Sequence, residues 1–157
     1  MTPILLQRAL KKDLEVLFTG FRSSEKMDYS EKGVTIYEQD LPVNIESMEA
    51  EGKMPYVIIR LIEGEMEQPE DAEQVKVFFI FCSKAPEWNM SGYADVMNMI
   101  QKVKERFLKN PAVGDFFTAE LPMKWVIQES DTAPDIYFGG LEINFACPGI
   151  RRESKFA

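Results

Sequence analysis

Apolar residues near the start of the chain recur every three or four positions, which is the spacing of an amphipathic helix. Thr2 and Pro3 are typical of an N-cap and of a first helical residue, and the pattern ends near Phe18, just before Gly20. The sequence therefore predicts a first helix with one buried face. Its apolar positions are Leu6, Ala9, Leu10, Leu14, Leu17 and Phe18.

A second segment with the same spacing follows Ser91, a candidate N-cap, and ends before Pro111. Asp95 lies in its first turn, where a carboxylate stabilises the exposed amide groups; the alternative role for Asp95 is an interface contact. Trp88 and Tyr93 flank this predicted helix and are expected to be half-buried; the alternative is that they are exposed aromatic residues for recognition. The apolar positions are Tyr93, Val96, Met97, Ile100, Val103 and Phe107.

Two longer runs are rich in β-branched and aromatic residues, which favours strands over helices. Y-V-I-I-R-L-I-E begins at Tyr56, and Q-V-K-V-F-F-I-F-C-S begins at Gln74. The second run is apolar on both faces near its centre. It predicts a central strand that is covered by helices on one side and by a further surface on the other, for which a neighbouring subunit is a candidate.

Shorter alternating pieces predict the other strands. G-V-T-I-Y-E indicates a strand through Val34 and Ile36, and L-P-M-K-W-V-I-Q sets Met123, Trp125 and Ile127 against polar neighbours. The order of elements is helix, strands, helix, strands. The short links between them favour antiparallel pairing.

This order predicts an α+β fold: a two-layer sandwich in which two α-helices pack on one face of a mostly antiparallel, mixed β-sheet. The 157 residues are enough for one domain that buries roughly 68 to 70% of its unfolded surface. We predict a single domain over residues 1 to 157, in which 149 to 157 form a flexible tail.

A cluster of carboxylates lies between the two long strands. Residues 63 to 73 contain six acidic and no basic residues, and Gly64 and Pro69 disfavour regular structure through the middle. The spacing does not match a calcium loop, so we predict a solvated or partner-facing connection. The candidate interface residues are Glu63, Glu65, Glu67, Glu70, Asp71 and Glu73, together with Arg151, Arg152 and Lys155 in the C-terminal tail.

A glycine pair, Gly139 and Gly140, lies inside the run I-Y-F-G-G-L-E-I-N-F-A-C. A phosphate-binding glycine loop opens a helix, whereas this pair continues into a strand. Phe138 and Leu141 would lie on opposite faces of a straight strand. One extra residue at the glycines would bring both onto one face, so we predict a β-bulge there.

Composition excludes several chemistries. The chain has no histidine, which removes serine-histidine and cysteine-histidine catalysis, and two separate cysteines do not make a zinc site. The formal net charge is −8, a sign that repels nucleic-acid phosphates and anionic lipids. We predict neither a metal nor a cofactor, and carboxylate chemistry is the enzymatic option that remains.

The compartment follows from the cysteines and from the apolar runs. Cys82 and Cys147 lie in apolar strands and are expected to be reduced, buried thiols; a cross-strand disulfide is the alternative. The N-terminus lacks the pattern of a signal peptide, and the longest apolar run, 77 to 82, is far shorter than a membrane span. The sequence therefore predicts a soluble, cytoplasmically made chain.

Several segments follow one another along nearly the whole chain: the N-terminal helix, Y-E-Q-D-L-P, P-Y-V-I-I-R-L-I-E-G, V-K-V-F-F-I-F-C, G-Y-A-D-V-M-N-M-I-Q-K-V-K-E-R-F, L-P-M-K-W and I-Y-F-G-G-L-E-I-N-F. In this order they resemble the tail terminator, or tail completion, proteins of long-tailed bacteriophages and prophages. The likeness is one of residue types and carries no chemical signature.

The resemblance implies a structural virion protein and not an enzyme, with a sandwich fold in which helices pack on a mixed sheet. Such a protein forms a ring of copies of itself, typically a homohexamer, that caps the tail tube, stops tail polymerisation and provides the surface for head docking. The implied partners are the tail tube protein and the head-tail connector proteins, with DNA passing through the lumen without specific binding. The implied location is the host cytoplasm during assembly and then the head-tail junction of the virion.

Other interpretations stay open. The chain is alternatively another neck protein, such as a head-tail connector, or a component of a contractile secretion system. A third hypothesis is a small carboxylate-dependent enzyme or ligand-binding protein, which requires a concave pocket lined by carboxylates.

Overall fold

Six strands of the chain form one curled sheet, and two helices accompany it. The computed structural model describes residues 2 to 21, 33 to 44, 49 and 50, 52 to 84, 92 to 128 and 135 to 149. The helices are α1 (Pro3–Leu17) and α2 (Gly92–Lys109). The strands are β1 (Thr35–Glu38), β2 (Val43–Asn44), β3 (Glu49–Ala50), β4 (Tyr56–Glu65), β5 (Glu73–Lys84), β6 (Ala112–Val113), β7 (Phe117–Gln128) and β8 (Ile136–Cys147).

The main sheet has the strand order β1-β4-β5-β8-β7-β6. β1 runs parallel to β4, and every other neighbouring pair is antiparallel. The sheet is curled into a half-barrel. β2 and β3 form a separate two-stranded ladder. The predicted α+β class, with a mostly antiparallel and mixed sheet, is confirmed, as is the central position of β5.

One face of the sheet, here called the helix face, carries the main core. Leu6, Leu10 and Leu14 of α1 and the buried residues of α2 join one apolar cluster with the inward residues of β4, β5 and β8. Its centre is aromatic: the ring of Phe107 lies 6.4 Å from that of Phe79 and 5.4 Å from that of Phe145. Both helices contribute to this one cluster, but the sheet is curled, so the predicted two-layer sandwich is not confirmed.

The opposite face, here called the open face, has a smaller apolar cluster around Tyr56, Ile58 and Cys82. Tyr37, Leu41, Met54, Ile80, Ile136 and Phe138 are partly buried against it. Side chains of the same chain therefore supply the burial at this end of β5. Away from the cluster, Phe78 is only partly buried.

The acidic segment is more regular than predicted. β4 continues past Gly64 to Glu65, and β5 begins at Glu73, so the connection between them is confined to residues 66 to 72. The prediction that Gly64 lies outside regular structure is wrong because the pairing of Gly64 with Val75 and of Glu65 with Gln74 continues the ladder. A bulge between Leu61 and Glu63 absorbs the irregularity instead.

The glycine pair makes no bulge, and that prediction is wrong. Gly139 pairs with Phe81 and Gly140 with Ile80 in an uninterrupted register. Strand phase indicates a bulge only where a single face is apolar, but Phe138 belongs to the cluster of the open face. Since both faces are apolar there, the strand needs no change of phase.

The two glycines instead give room to side chains on opposite faces. A Cβ on Gly139 would lie 2.5 Å from Cγ1 of Val96 and 3.0 Å from Cδ1 of Ile100, both on α2. A Cβ on Gly140 would collide with Cζ of Phe78 on the open face. One glycine therefore lets α2 approach the sheet, and the other lets the ring of Phe78 lie over it.

The two cysteines are free and buried, as expected of reduced thiols. Cys82 pairs with Phe138, whereas Cys147 lies at the other end of β8 and pairs with Glu73. Phe138 and Cys147 are nine positions apart along the strand, which is roughly 30 Å at the usual rise. A disulfide within the chain is excluded by this distance.

We expect Ile100→Ala to lower the free energy of unfolding by about 2 to 5 kcal/mol and Phe107→Ala by about 3 to 5 kcal/mol, since both side chains are fully buried. Leu108→Ala is the matched control, because Leu108 is 55% exposed on the same helix. It should change stability by no more than about 0.5 kcal/mol. Urea unfolding monitored by circular dichroism measures all three, and equal losses would contradict the packing described for α2.

We expect Gly139→Ala and Gly140→Ala each to cost about 1 to 3 kcal/mol through overpacking. Phe78→Ala removes the ring that a Cβ at Gly140 would meet, so it should relieve most of the cost of Gly140→Ala and none of the cost of Gly139→Ala. Double-mutant cycles measure the two couplings. Equal relief of both substitutions would contradict the assignment of the glycines to opposite faces.

Candidate interaction surfaces

The acidic hairpin, defined as residues 63 to 73, is exposed over most of its length. Lys76 neutralises part of the negative charge of the hairpin. Its Nζ lies 3.0 Å from a carboxylate oxygen of Glu63 and 3.9 Å from one of Glu142. The hydrogen bond to Glu63 raises the pKa of Lys76. Glu65, Glu67, Glu70 and Asp71 have no ion pair within the described part of the chain.

The C-terminal end of β8 leads back to this hairpin. A Cβ on Gly149 would lie 2.5 Å from the carbonyl oxygen of Glu70 and 2.6 Å from that of Asp71. The chain therefore passes the hairpin tip of its own fold before the tail begins. Arg151, Arg152 and Lys155 lie outside the described residues, so their predicted contact with an acidic hairpin stays a prediction.

The C-terminal end of α2 is tied to neighbouring elements by Arg106. Its Nε lies 3.0 Å from a carboxylate oxygen of Asp13 on α1, and its guanidinium donates to the carbonyl oxygens of Asn110 and Ala112. An open cleft of about 480 Å³ lies beside it. The cleft is lined by Leu17, Lys102, Glu105, Arg106, Lys109 and Asn110.

The chemistry available in this cleft is limited. Its carboxylate, Glu105, accepts a hydrogen bond from Nε2 of Gln101 at 3.1 Å. General acid-base catalysis by a pair of carboxylates needs a second carboxylate within reach of the same substrate atom. The lining of this cleft contains no carboxylate other than Glu105.

Asp95 is buried and lies in the first turn of α2, as the helix-start role predicts. The hydroxyl of Ser83, at the end of β5, lies 3.5 Å from its Oδ2. This contact joins the start of the helix to the central strand. Tyr93 is 55% exposed, so about half of its surface is covered, as expected; Trp88 and Ser91 lie outside the described residues.

The buried thiols are poor nucleophiles. Burial raises the pKa of Cys82 and that of Cys147 to about 11 each. Burial, together with the hydrogen bond to Cys82, raises the pKa of Tyr56 as well. Because the thiolate is the reactive form, neither cysteine is suited to covalent catalysis near neutral pH.

Neither a metal site nor a membrane span is found in the described residues. They contain no group of three or more cysteine and acidic side chains placed to hold a metal ion. No helix among them is both long and apolar enough to cross a bilayer.

Several exposed apolar side chains lie along β7. Leu121 is 69% exposed, Val126 55% and Trp125 48%. Met123 and Ile127 are partly buried between them. The sequence indicated this strand but not its exposure. One signal was available: Val126 breaks the apolar-polar alternation and leaves three consecutive apolar residues, Trp125 to Ile127.

Comparison of the chain with protein-family models finds no match, and comparison with curated proteins finds none.

We expect the stability of the protein to fall between about pH 9 and pH 11. The unfolded chain loses the proton of Cys82 near its ordinary pKa of 9.0, whereas the folded chain keeps it up to about pH 11. Between these two pH values, ionisation of the Cys82 thiol stabilises the unfolded state. Below about pH 9 the buried thiol makes its full contribution to the free energy of unfolding. Urea unfolding at pH 8, 9, 10 and 11 measures the decline.

Cys82→Ala is the matching variant for this experiment. It should show a shallower decline than the parent protein, because the shifted group has been removed. An identical pH dependence in both proteins would contradict the raised pKa of the thiol.

Proposed function

We propose that the protein is a structural component of a phage or prophage tail that resembles tail terminators. In this role, copies of the chain form a ring that caps the tail tube, stops its polymerisation and offers the docking surface for the head. The sequence resemblance supports the proposal along nearly the whole chain. The α+β fold, with helices on a mixed sheet, agrees with the fold that the resemblance implies.

The observation that carries the proposal is where the exposed apolar side chains lie. Leu121, Trp125 and Val126 follow one strand near the margin of the sheet, with Trp125 on the helix face and Val126 on the open face, and none of them lines the cleft beside Arg106. An exposed apolar strand of this kind is typical of a surface that is covered in an assembly. A subunit of a ring or tube needs such surfaces, and an enzyme active site does not.

The charges of the chain agree with the proposed partners. A net charge of −8, concentrated in part on the acidic hairpin, disfavours adhesion to DNA. A ring of such subunits at the head-tail junction would let DNA pass through its lumen without holding it. The proposed contacts are therefore with other copies, with the tail tube protein and with the head-tail connector proteins, first in the host cytoplasm and then in the virion.

The enzymatic hypothesis has less support. It requires a concave pocket in which carboxylates converge. The described cleft beside Arg106 is open and has one carboxylate, Glu105. A head-tail connector stays the second candidate, since an exposed apolar strand serves either neck protein equally well.

We expect the purified chain to form a discrete, ring-sized oligomer when it is mixed with tail tube protein, as measured by native mass spectrometry. The same chain mixed with the tube protein of an unrelated phage is the control. A chain that shows no change of mass with its own tube protein at any concentration would count against the terminator.

Particles made without the protein separate the two candidates. Loss of a terminator should give overlong tails, because tube growth no longer stops. Loss of a connector should give tails of normal length that are not attached to heads. Electron microscopy of such particles reads the difference directly.

A further inference from the structure

The outer side of β7 is only partly covered by other strands. β6 pairs with Phe117 and Thr118, and the amide of Ala119 donates to the carbonyl of Pro111 at 2.7 Å. Beyond the bulge between Glu120 and Met123, β7 pairs with β8 alone. Within the described chain, residues 123 to 128 therefore have a strand on one side and none on the other. We call this segment the β7 edge.

The direction of the main-chain groups along the β7 edge follows from the pairing. The main-chain amide of Ala119 points away from β8. The main-chain N–H and C=O groups of its neighbour Thr118 therefore point towards β8, and Thr118 forms a hydrogen-bonded pair with Ala146. β8 alternates without a bulge, so Glu142 and Gly140 point towards β7 and bond Lys124 and Val126. The N–H and C=O groups of the remaining three residues point outward. These are Met123, Trp125 and Ile127.

The side chains of the β7 edge are sorted by face. Met123, Trp125 and Ile127 share the helix face with Ile143, Leu141 and Gly139, opposite which they pair. Lys124 and Val126 lie on the open face, opposite Glu142 and Gly140. The outward main-chain groups thus belong to the apolar side chains, and the charged Lys124 is turned to the other face.

We propose that the β7 edge pairs antiparallel with the β7 edge of a second copy of the chain, about a twofold axis at Trp125. In this register Trp125 faces Trp125 of the other copy, and Met123 faces Ile127. Every outward amide of the edge then meets an outward carbonyl. On the open face, Lys124 faces Val126, so that no two like charges are opposed.

Neighbouring registers are poorer. A shift by one residue sets outward groups against inward ones and breaks the ladder. A shift by two in one direction sets Lys124 against Lys124, which is destabilising. A shift by two in the other direction carries Met123 beyond the end of β7 at Gln128. The register centred on Trp125 is the one that uses the whole edge.

The net charge is compatible with a second copy in this arrangement. Each copy is strongly acidic, so two copies associate only where their carboxylate clusters stay apart. The acidic hairpin joins β4 to β5, and β8 separates it from β7. The β7 edge lies level with Val77 to Cys82, away from the hairpin end of β5. An antiparallel pair places the two hairpins at opposite ends of the joined sheet.

This pairing does not rest on the proposed ring. A twofold contact uses the same surface on both copies and closes on itself, whereas a ring about a single axis uses two different surfaces. The pair is therefore a state of the free protein. In a ring-forming subunit it would cover the β7 edge until assembly begins.

The first test compares Trp125→Pro with Trp125→Ala by sedimentation of the purified full chain over a range of concentrations. Both variants lose the indole, but only proline also removes the outward N–H, and neither changes the bonds to β8. We expect the parent chain to be dimeric, Trp125→Ala to weaken the dimer, and Trp125→Pro to weaken it at least tenfold further. Circular dichroism establishes that both variants are folded.

The second test checks the register without perturbing the strand. Val126 is 55% exposed and faces Lys124 of the other copy, so Val126→Glu should tighten the dimer and Val126→Lys should loosen it, each by roughly two- to thirtyfold. Val16→Glu and Val16→Lys are the controls, because Val16 is 75% exposed on α1; both should leave the dimer unchanged.

Three outcomes would overturn the pairing. The parent chain could stay monomeric even when its concentration is raised about 100-fold in the sedimentation experiment. The dissociation constant of the dimer could be unchanged by Trp125→Pro, or it could change equally with Val126→Glu and Val126→Lys. The ring is tested separately. A monomer that assembles on tube protein would refute the pair alone, and a dimer that ignores tube protein would refute the ring alone.

Discussion

The structure depends on the burial of β5 on both of its faces. The strand is bonded to β4 on one edge and to β8 on the other over nearly its full length. Phe79 and Phe81 are fully buried on the helix face, and Cys82 is buried on the open face. Each large side chain buried in this way contributes about 1.5 to 3 kcal/mol, whereas an ion pair between solvent-exposed side chains, such as Lys76 with Glu63, is screened by water and adds little. Apolar burial at β5, and not surface charge, therefore sets the position of the helices and of the neighbouring strands.

The elements that could be predicted from the sequence are those with a strong local pattern. Both helices begin and end close to the expected residues because helical spacing and caps are local signals. The predicted bulge at Gly139 and Gly140 failed because strand phase identifies a bulge only where a single face is apolar. The sequence shows that Phe138 is apolar. It does not show that Phe138 packs against Tyr56 and Cys82 on the other face of the sheet. Likewise, Gly64 disfavours a strand locally, yet the cross-strand bonds to β5 extend the strand through it.

The candidate surfaces also differ in how far a local sequence pattern predicts them. A cluster of carboxylates is visible in the sequence wherever it folds, so the exposure of the acidic hairpin was expected. The exposure of β7 depends on strand order, because a strand with this composition in the middle of the sheet would be buried. Strand order is fixed by pairing between residues far apart in the chain, and no local pattern reports it. The local pattern therefore predicts that Trp125 and Val126 lie in a strand, but it does not predict that they are exposed.

The β7 edge differs from the other margin of the sheet in a way that bears on assembly. β1 is four residues long, and the side chain of Ile36 is already buried beneath α1. At the β7 margin, β6 and the bulge at Leu121 protect one half of the strand, and the other half carries one charge, Lys124. Proteins usually guard long edges with charge, proline or a covering element. An apolar edge left without these devices is tolerated in a chain of net charge −8 because general repulsion opposes random contacts and permits a contact that keeps the carboxylates apart. Selectivity of that kind is what an assembly subunit requires, since it must stay dispersed until the right surface arrives.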